Sequence, residues 1–328
     1  MVFLREGLCP GLTSDVMRAL KAQHIRTVLD LVASDIEELA QQSSISYKTL
    51  VAVRRVLLAQ YSAFPSNGAD LYEELMNSTA ILSTGNKNLD KLLDSGLYTG
   101  ELTELTGGPG SGKTQLCLGV AVNVSYELKQ NVLYIDSSGG FTASRLLQMV
   151  KSRTDCIEDQ MDALRRIEIV KVFDVFKMMD ALQDLRNNFP NEVAGACAPL
   201  KVLIVDSIPA VIAPVLGSKH AEGLSLMTQI ARELKSLAKD LSIAVLVTNH
   251  VTHDRSGGMK PALGRSWSYV PNVRVLLQHK DEARSVRSAK RIATLLKSSR
   301  QPIRISKDFD LEDCGFMEEH PTDTDAGR

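Results

Sequence analysis

Glu101-Leu102-Thr103-Glu104-Leu105-Thr106-Gly107-Gly108-Pro109-Gly110-Ser111-Gly112-Lys113-Thr114-Gln115-Leu116-Cys117 carries the most informative pattern in the chain. A short strand-like run, Glu101–Leu105, enters a glycine-rich loop, and a helical pattern follows over Gln115–Lys129. Gly107 to Thr114 fits G-x-x-x-x-G-K-[ST] in the strand–loop–helix context that the motif needs. Glycines allow consecutive backbone N–H groups to face a phosphate chain, and the helix adds its positive end. Gly107, Gly108, Pro109, Gly110, Ser111 and Gly112 are therefore read as the cradle for ATP. Lys113 is read as the cation for the β- and γ-phosphates, and the Thr114 hydroxyl as a ligand of Mg²⁺.

Outward from this loop, strand and helix patterns alternate. Strands are expected at Asn131–Asp136, Ile167–Val172, Lys201–Asp206, Ile243–Thr248 and Val273–Gln278. Helices are expected at Ala143–Lys151, Phe176–Arg186 and Gly223–Asp240. That order predicts an α/β fold with a mostly parallel twisted sheet flanked by helices. Lys201-Val202-Leu203-Ile204-Val205-Asp206 is apolar and ends in a carboxylate, 93 residues after Lys113. Asp206 is thus the candidate second Mg²⁺ ligand, on a strand expected beside the loop's own.

Residues 1–60 read as a small all-α domain. Helices are expected over Leu12–Leu20, Thr27–Ala40 and Tyr47–Tyr61, and residues 61–83 form the linker, with a further helical stretch over Asp70–Met76. The ATPase core is expected over 84–307. From Asp308 onward eight acidic residues face one basic residue, which predicts a flexible acidic tail over 308–328. The 328-residue chain has formal net charge −1, so bulk charge does not predict a polyanion partner. Residues 280–307 nevertheless carry net +7, from Lys280, Arg284, Arg287, Lys290, Arg291, Lys297, Arg300, Arg304 and Lys307 against Asp281 and Glu282. This run is a candidate phosphate-backbone surface, as are Arg18, Lys21, Arg26, Lys48, Arg54 and Arg55 of the helical domain. Five scattered cysteines without a C-x-x-C argue against structural zinc and for a reducing compartment. No apolar run reaches the ~20 residues of a membrane span. Neither the clustered lid arginines of a nucleotide kinase nor the signature loop of a transporter ATPase is present.

Further stretches resemble the RecA-type recombinases. They are Leu82-Ser83-Thr84-Gly85, Leu89-Asp90-Lys91-Leu92-Leu93, Thr99-Gly100-Glu101-Leu102-Thr103-Glu104, Tyr134-Ile135-Asp136, Ile204-Val205-Asp206-Ser207 and Val247-Thr248-Asn249-His250. The match spans about residues 80–300. The Pro-Gly-Ser loop, Leu263-Gly264-Arg265-Ser266-Trp267-Ser268 and Lys297-Ser298-Ser299-Arg300-Gln301-Pro302 are most similar to a paralogue branch of the eukaryotic strand-exchange recombinases.

The resemblance implies a nuclear protein of homologous recombination. It implies ATP and Mg²⁺, binding to single-stranded or branched DNA, and a heteromeric complex with other recombinase paralogues. It also implies support of recombinase filaments at double-strand breaks, stalled forks and interstrand crosslinks. By the same resemblance Arg145 packs on the adenine, and His250 stands at the γ-phosphate sensor position, where the recombinases carry Gln. Ile208–Gly223 and Thr252–Pro261 then correspond to DNA-facing loops.

The family's water-orienting glutamate falls at Ser138, which implies ATP binding with slow, DNA-stimulated hydrolysis. Asp136 is the nearest carboxylate, usable only if the backbone shifts. The family's Phe-x-x-Ala linker motif is not evident around Tyr61, Ala63 and Phe64. An active strand-exchange ATPase and a scaffold whose nucleotide only stabilises an interface remain as alternatives.

Overall fold

A computed structural model describes residues 4–61, 65, 67–192, 199–218, 220–253, 259–279, 289–312 and 315–317. The chain divides into two compact units, Met1–Glu74 and Leu75–Arg328. Among its described residues the first holds the helices α1 (Ser14–Ala22), α2 (Val28–Ala33), α3 (Ile36–Ser43) and α4 (Tyr47–Tyr61). Thr13 caps α1 by accepting from the Val16 amide. The single helix expected over 27–40 is two, because Ser34 turns extended and Asp35 starts a new helix by accepting from the Glu37 and Glu38 amides. A capping box formed by Thr27 and Asp30 opens α2. Leu20, Leu31, Leu50, Val53 and Leu57 close a separate small core. Within the linker, the helix expected over Asp70–Met76 is α5 (Gly68–Ser78).

The second unit begins within α5 and continues with the short paired strands β1 (Ile81–Leu82) and β2 (Leu97–Tyr98), with α6 (Lys87–Leu92) between them. Then come β3 (Leu102–Gly107), α7 (Lys113–Tyr126), β4 (Asn131–Asp136), α8 (Ala143–Lys151), α9 (Ile157–Arg165), β5 (Ile167–Lys171) and α10 (Val175–Glu192). After these follow β6 (Leu200–Asp206), α11 (Ile208–Ser218), α12 (His220–Asp240) and β7 (Ala244–Asn249). A small hairpin, β8 (Val251–His253) with β9 (Met259–Pro261), leads to α13 (Gly264–Ser268). Four strands finish the described chain: β10 (Val273–His279), β11 (Lys290–Lys297), β12 (Ser306–Glu312) and β13 (Gly315–Met317).

Among the described residues, nine strands form one sheet in the order β13-β12-β11-β10-β3-β7-β6-β4-β5. The six from β10 to β5 are parallel, and the last three pair antiparallel on one edge. β3 and β7 are buried along their whole length, as expected of central parallel strands covered on both faces. Alternation divides β4 between two cores. Val132 and Tyr134 join α7 and α8 on one face, whereas Leu133 and Ile135 join α10, α11 and α12 on the other.

Two expectations are corrected here. Residues 308–312 are not a loose tail but part of β12, with Phe309 fully buried and Leu311 partly so. The charges masked a period-two pattern whose apolar members share one face. Likewise, most of the expected loop over Ile208–Gly223 is helical, because Ile208, Val211 and Ile212 recur at helical spacing and are buried. Lys219, Arg255, Lys280, Arg284 and Arg287, with the residues from 318 on, lie outside the described residues.

Candidate nucleotide site

The P-loop runs from the carboxyl end of β3 into the first turn of α7. Gly112 caps that helix at φ 101° and offers no side chain to its amides, so the N–H groups there stay available to an anion. Two glycines are demanded here for different reasons. A Cβ on Gly107 would lie 2.5 Å from the Leu277 carbonyl oxygen, whereas Gly112 is required by its φ of 101°, with the Leu311 side chain packed beside it. Lys113 folds over the loop and donates from Nζ to the Gly107 and Gly108 carbonyls at 2.8 and 2.9 Å. Burial pulls its ammonium below the usual lysine value, and the Asp206 carboxylate partly offsets that.

Asp206 is 3% exposed and accepts three hydroxyl hydrogen bonds. Thr114 Oγ1 and Tyr134 OH donate to Oδ2 at 2.6 and 3.0 Å, and Thr248 Oγ1 donates to Oδ1. The strand carrying Asp206 is not adjacent to β3 as expected: β7 lies between them and contributes Thr248. Burial, with Cys117 and Asp206 beside it, pushes the Tyr134 phenol far above its ordinary value, so it keeps the proton that it donates to Asp206. Two hard oxygen groups, Thr114 and Asp206, thus meet at the amino end of α7. Their chemistry suits Mg²⁺, which prefers oxygen ligands and keeps several waters.

Ser138 lines the same cleft, and its hydroxyl sits 3.4 Å from the Asp206 carbonyl oxygen. Asp136, two residues earlier, is engaged elsewhere. Its Oδ1 accepts from the Ser138, Gly139 and Gly140 amides, its Oδ2 accepts from the Phe141 amide, and it is 1% exposed. It organises the turn rather than facing the cleft.

The open cleft of about 930 Å³ is bordered by Lys113, Thr114, Ser138, Arg145, Asp206 and His250. Arg145 is held by Gln115 Oε1 at 2.8 Å and Gln148 Oε1 at 2.9 Å. Desolvation, followed by the Lys113 charge, lowers the His250 imidazole below its usual value. The site also contains residues that motif reading passed over. Arg291 and Leu311 form a wall of the cleft from the antiparallel strands. Tyr134 stood inside a quoted motif, but nothing local marked it as a partner of Asp206.

Much of the described part of the basic run is engaged within the fold. Arg300 pairs with Glu101 and with Asp94 (3.5 Å) and lies 3.7 Å from the Tyr98 ring centre. Lys297 donates to the Ser268 and Tyr269 carbonyls. In the helical unit, Arg18, Lys21, Arg26, Lys48 and Arg55 are exposed.

A P-loop on a central parallel strand, an acid two strands away and an antiparallel extension together define a RecA-like nucleotide-binding protein. The chain belongs to the Rad51 family: that family's profile matches residues 76–315, and the profile of the RAD51D N-terminal domain matches residues 1–60. It is 58% identical over 322 residues to the DNA repair protein RAD51 homolog 4 of Mus musculus, covering 98% of both chains. It is 59% identical over 316 residues to the Bos taurus protein of that name, covering 96% of this chain and 97% of the bovine one. The probable DNA repair protein RAD51 homolog 4 of Dictyostelium discoideum is 29% identical over 315 residues, covering 85% of this chain and 88% of its own. The role is accordingly in DNA repair and recombination. No described helix is long and apolar enough to cross a membrane.

Proposed function

We propose that this protein is a nuclear, ATP-binding mediator of homologous recombination that acts in a heteromeric complex of recombinase paralogues. In that complex it engages single-stranded or branched DNA and supports recombinase filaments at double-strand breaks, stalled forks and interstrand crosslinks. Gly107–Thr114 hold the phosphates, Lys113 neutralises the β- and γ-phosphates, and Thr114 with Asp206 hold Mg²⁺. Arg145 packs on the adenine and His250 faces the terminal phosphate. The metal ion, when bound, supplies charge neutralisation on the phosphates.

The observation that carries the reading is the contrast between the two halves of the site. Lys113, Thr114 and Asp206 are assembled, whereas the water-orienting position is Ser138 and the nearby Asp136 is locked into its turn. A serine does not serve as a base near neutral pH, and water positioning is much of what phosphoryl transfer asks of a protein. ATP is therefore held and turned over slowly, so nucleotide occupancy acts as an assembly signal.

The test is ATP binding and turnover on the purified chain and on the complex recovered with it by co-purification, with partners identified by mass spectrometry. Tight ATP binding with slow turnover is expected, with binding lost in Lys113→Ala. Turnover at the rate of an active strand-exchange recombinase would overturn the reading. If Lys113→Ala and Lys113→Arg both keep partner binding and repair function, the nucleotide is incidental.

A further inference from the structure

The interior of the second unit contains a charged group that the nucleotide site does not use. Glu104 lies on β3, three residues before the P-loop, and is fully buried. In the sheet it sits between Val247 of β7 and Arg274 of β10. Its Oε2 pairs with Arg274 Nε. Its Oε1 accepts from Asn249 Nδ2 at 2.6 Å and from Trp267 Nε1 at 2.8 Å. Asn249 and Trp267 are also fully buried, and Arg274 is 7% exposed.

Stability alone is a weak reason for such a cluster. A buried ion pair is usually no more stabilising than well-packed apolar residues of the same volume, because both charges must be desolvated. What the cluster does provide is a fixed position for the end of β7. Asn249 Oδ1 accepts from the His250 amide at 2.8 Å, and Asn249 Nδ2 also reaches the Ala262 carbonyl at 3.1 Å. The His250 carbonyl is held in turn by Thr106 Oγ1 at 3.2 Å and by the Ala262 amide at 2.8 Å. His250 is thereby pinned through its own backbone, with its side chain at the nucleotide cleft. On the far side, Trp267 belongs to α13 and floors a surface groove with Met227, Ala231, Lys235, Tyr269 and Val270.

We propose that Glu104 and Asn249 are positioning residues that set His250 against the nucleotide, and that Trp267, on the same carboxylate, carries the state of the cleft to the α12–α13 groove. This rests on the reading that His250 faces bound ATP. One carboxylate oxygen shared by Asn249 and Trp267 couples the two: a shift at either donor changes the geometry available to the other. The groove is thus connected to the nucleotide without any contact between them.

Trp267 is the only tryptophan in the chain, so it serves as its own reporter. The experiment excites Trp267 in the full-length protein during titration with Mg–ATP, and measures ATP affinity separately by calorimetry. A saturable emission change that follows ATP occupancy is expected. Asn249→Ala should abolish that change and weaken ATP about fivefold, the worth of one hydrogen bond. His250→Ala should weaken ATP similarly, and the double variant should be no weaker than either single one. Trp267→Phe keeps the ring packing while removing the donor, so it guards against a misfolded Asn249→Ala. It should weaken ATP in the parent but not in the His250→Ala background. A silent Trp267 at ATP saturation, or additive losses in the double variants, overturns the relay. A His250→Ala variant that binds ATP like the parent refutes the reading of His250 itself, and the positioning role with it.

Discussion

Replacing Tyr134 by phenylalanine isolates one bond in the acid half of the site. The ring is fully buried and meets Phe141 edge-on, with centroids 5.1 Å apart and planes 64° apart. Phenylalanine preserves those contacts and deletes only the hydroxyl that donates to Asp206 Oδ2 at 3.0 Å. Asp206 keeps Thr114 and Thr248, so one of its three hydroxyl donors is lost. A hydrogen bond to a charged group contributes about 1.5–3 kcal/mol. For a unit of this size, 1 kcal/mol moves the midpoint by about 2–4 °C, so Tyr134→Phe should lower Tm by about 3–12 °C. The assay is thermal unfolding in the absence of nucleotide, repeated with saturating Mg–ATP. Mg–ATP should recover less stability in the variant than in the parent, because Tyr134 also orients the oxygen that Thr114 shares. A midpoint within 1 °C of the parent, with or without Mg–ATP, would refute the argument that this phenol supports Asp206.

Three further outcomes concern Ser138, Phe309 and Asp30. Ser138→Glu should raise ATP turnover by about 10²–10⁴-fold, the usual worth of a positioned base, with ATP affinity little changed. Unchanged turnover in a steady-state phosphate-release assay counts against the account of slow hydrolysis. Phe309→Ala should cost about 3–5 kcal/mol in chemical denaturation, because the ring is fully buried; a cost below about 1 kcal/mol would mean that residues 306–312 are not docked. In the helical unit, desolvation raises the Asp30 carboxyl, but hydrogen bonds from Thr27 and Arg26 outweigh it and leave the group below its usual value. Its stabilising effect on α2 is therefore present above about pH 4 and lost as pH falls through the lowered folded-state value. Amide exchange in α2 should show that acid loss in the parent and not in Asp30→Asn.

The phosphate loop, Asp206 and the alternating strands were legible because each is written in a contiguous stretch. Strand alternation, apolar runs and glycine spacing are local properties, and local rules read them well. The Glu104 cluster was not legible, because Asn249, Trp267 and Arg274 are 145, 163 and 170 residues away from it in sequence. Only the sheet order brings them together. β12 was missed for a different reason: an average over eight acidic residues hides two apolar positions, Phe309 and Leu311. Helix α11 was hidden behind a family expectation of a loop, although Ile208, Val211 and Ile212 already carried helical spacing. Asp136 was legible as the nearest carboxylate, usable only if the backbone shifts, but the four amides that hold it were not.

The contact of Leu311 with Gly112 also bears on how the protein is made. The phosphate loop leaves the ribosome some two hundred residues before the strand that walls it. A nascent chain can therefore hold the whole nucleotide motif while one side of its cleft is still unsynthesised. An early stop codon shortly before residue 306 would spare every residue of the G-x-x-x-x-G-K-T motif and still deliver an unfinished site. For sequence variants near the end of this chain, retention of the ATP motif is thus no guide to retention of ATP binding.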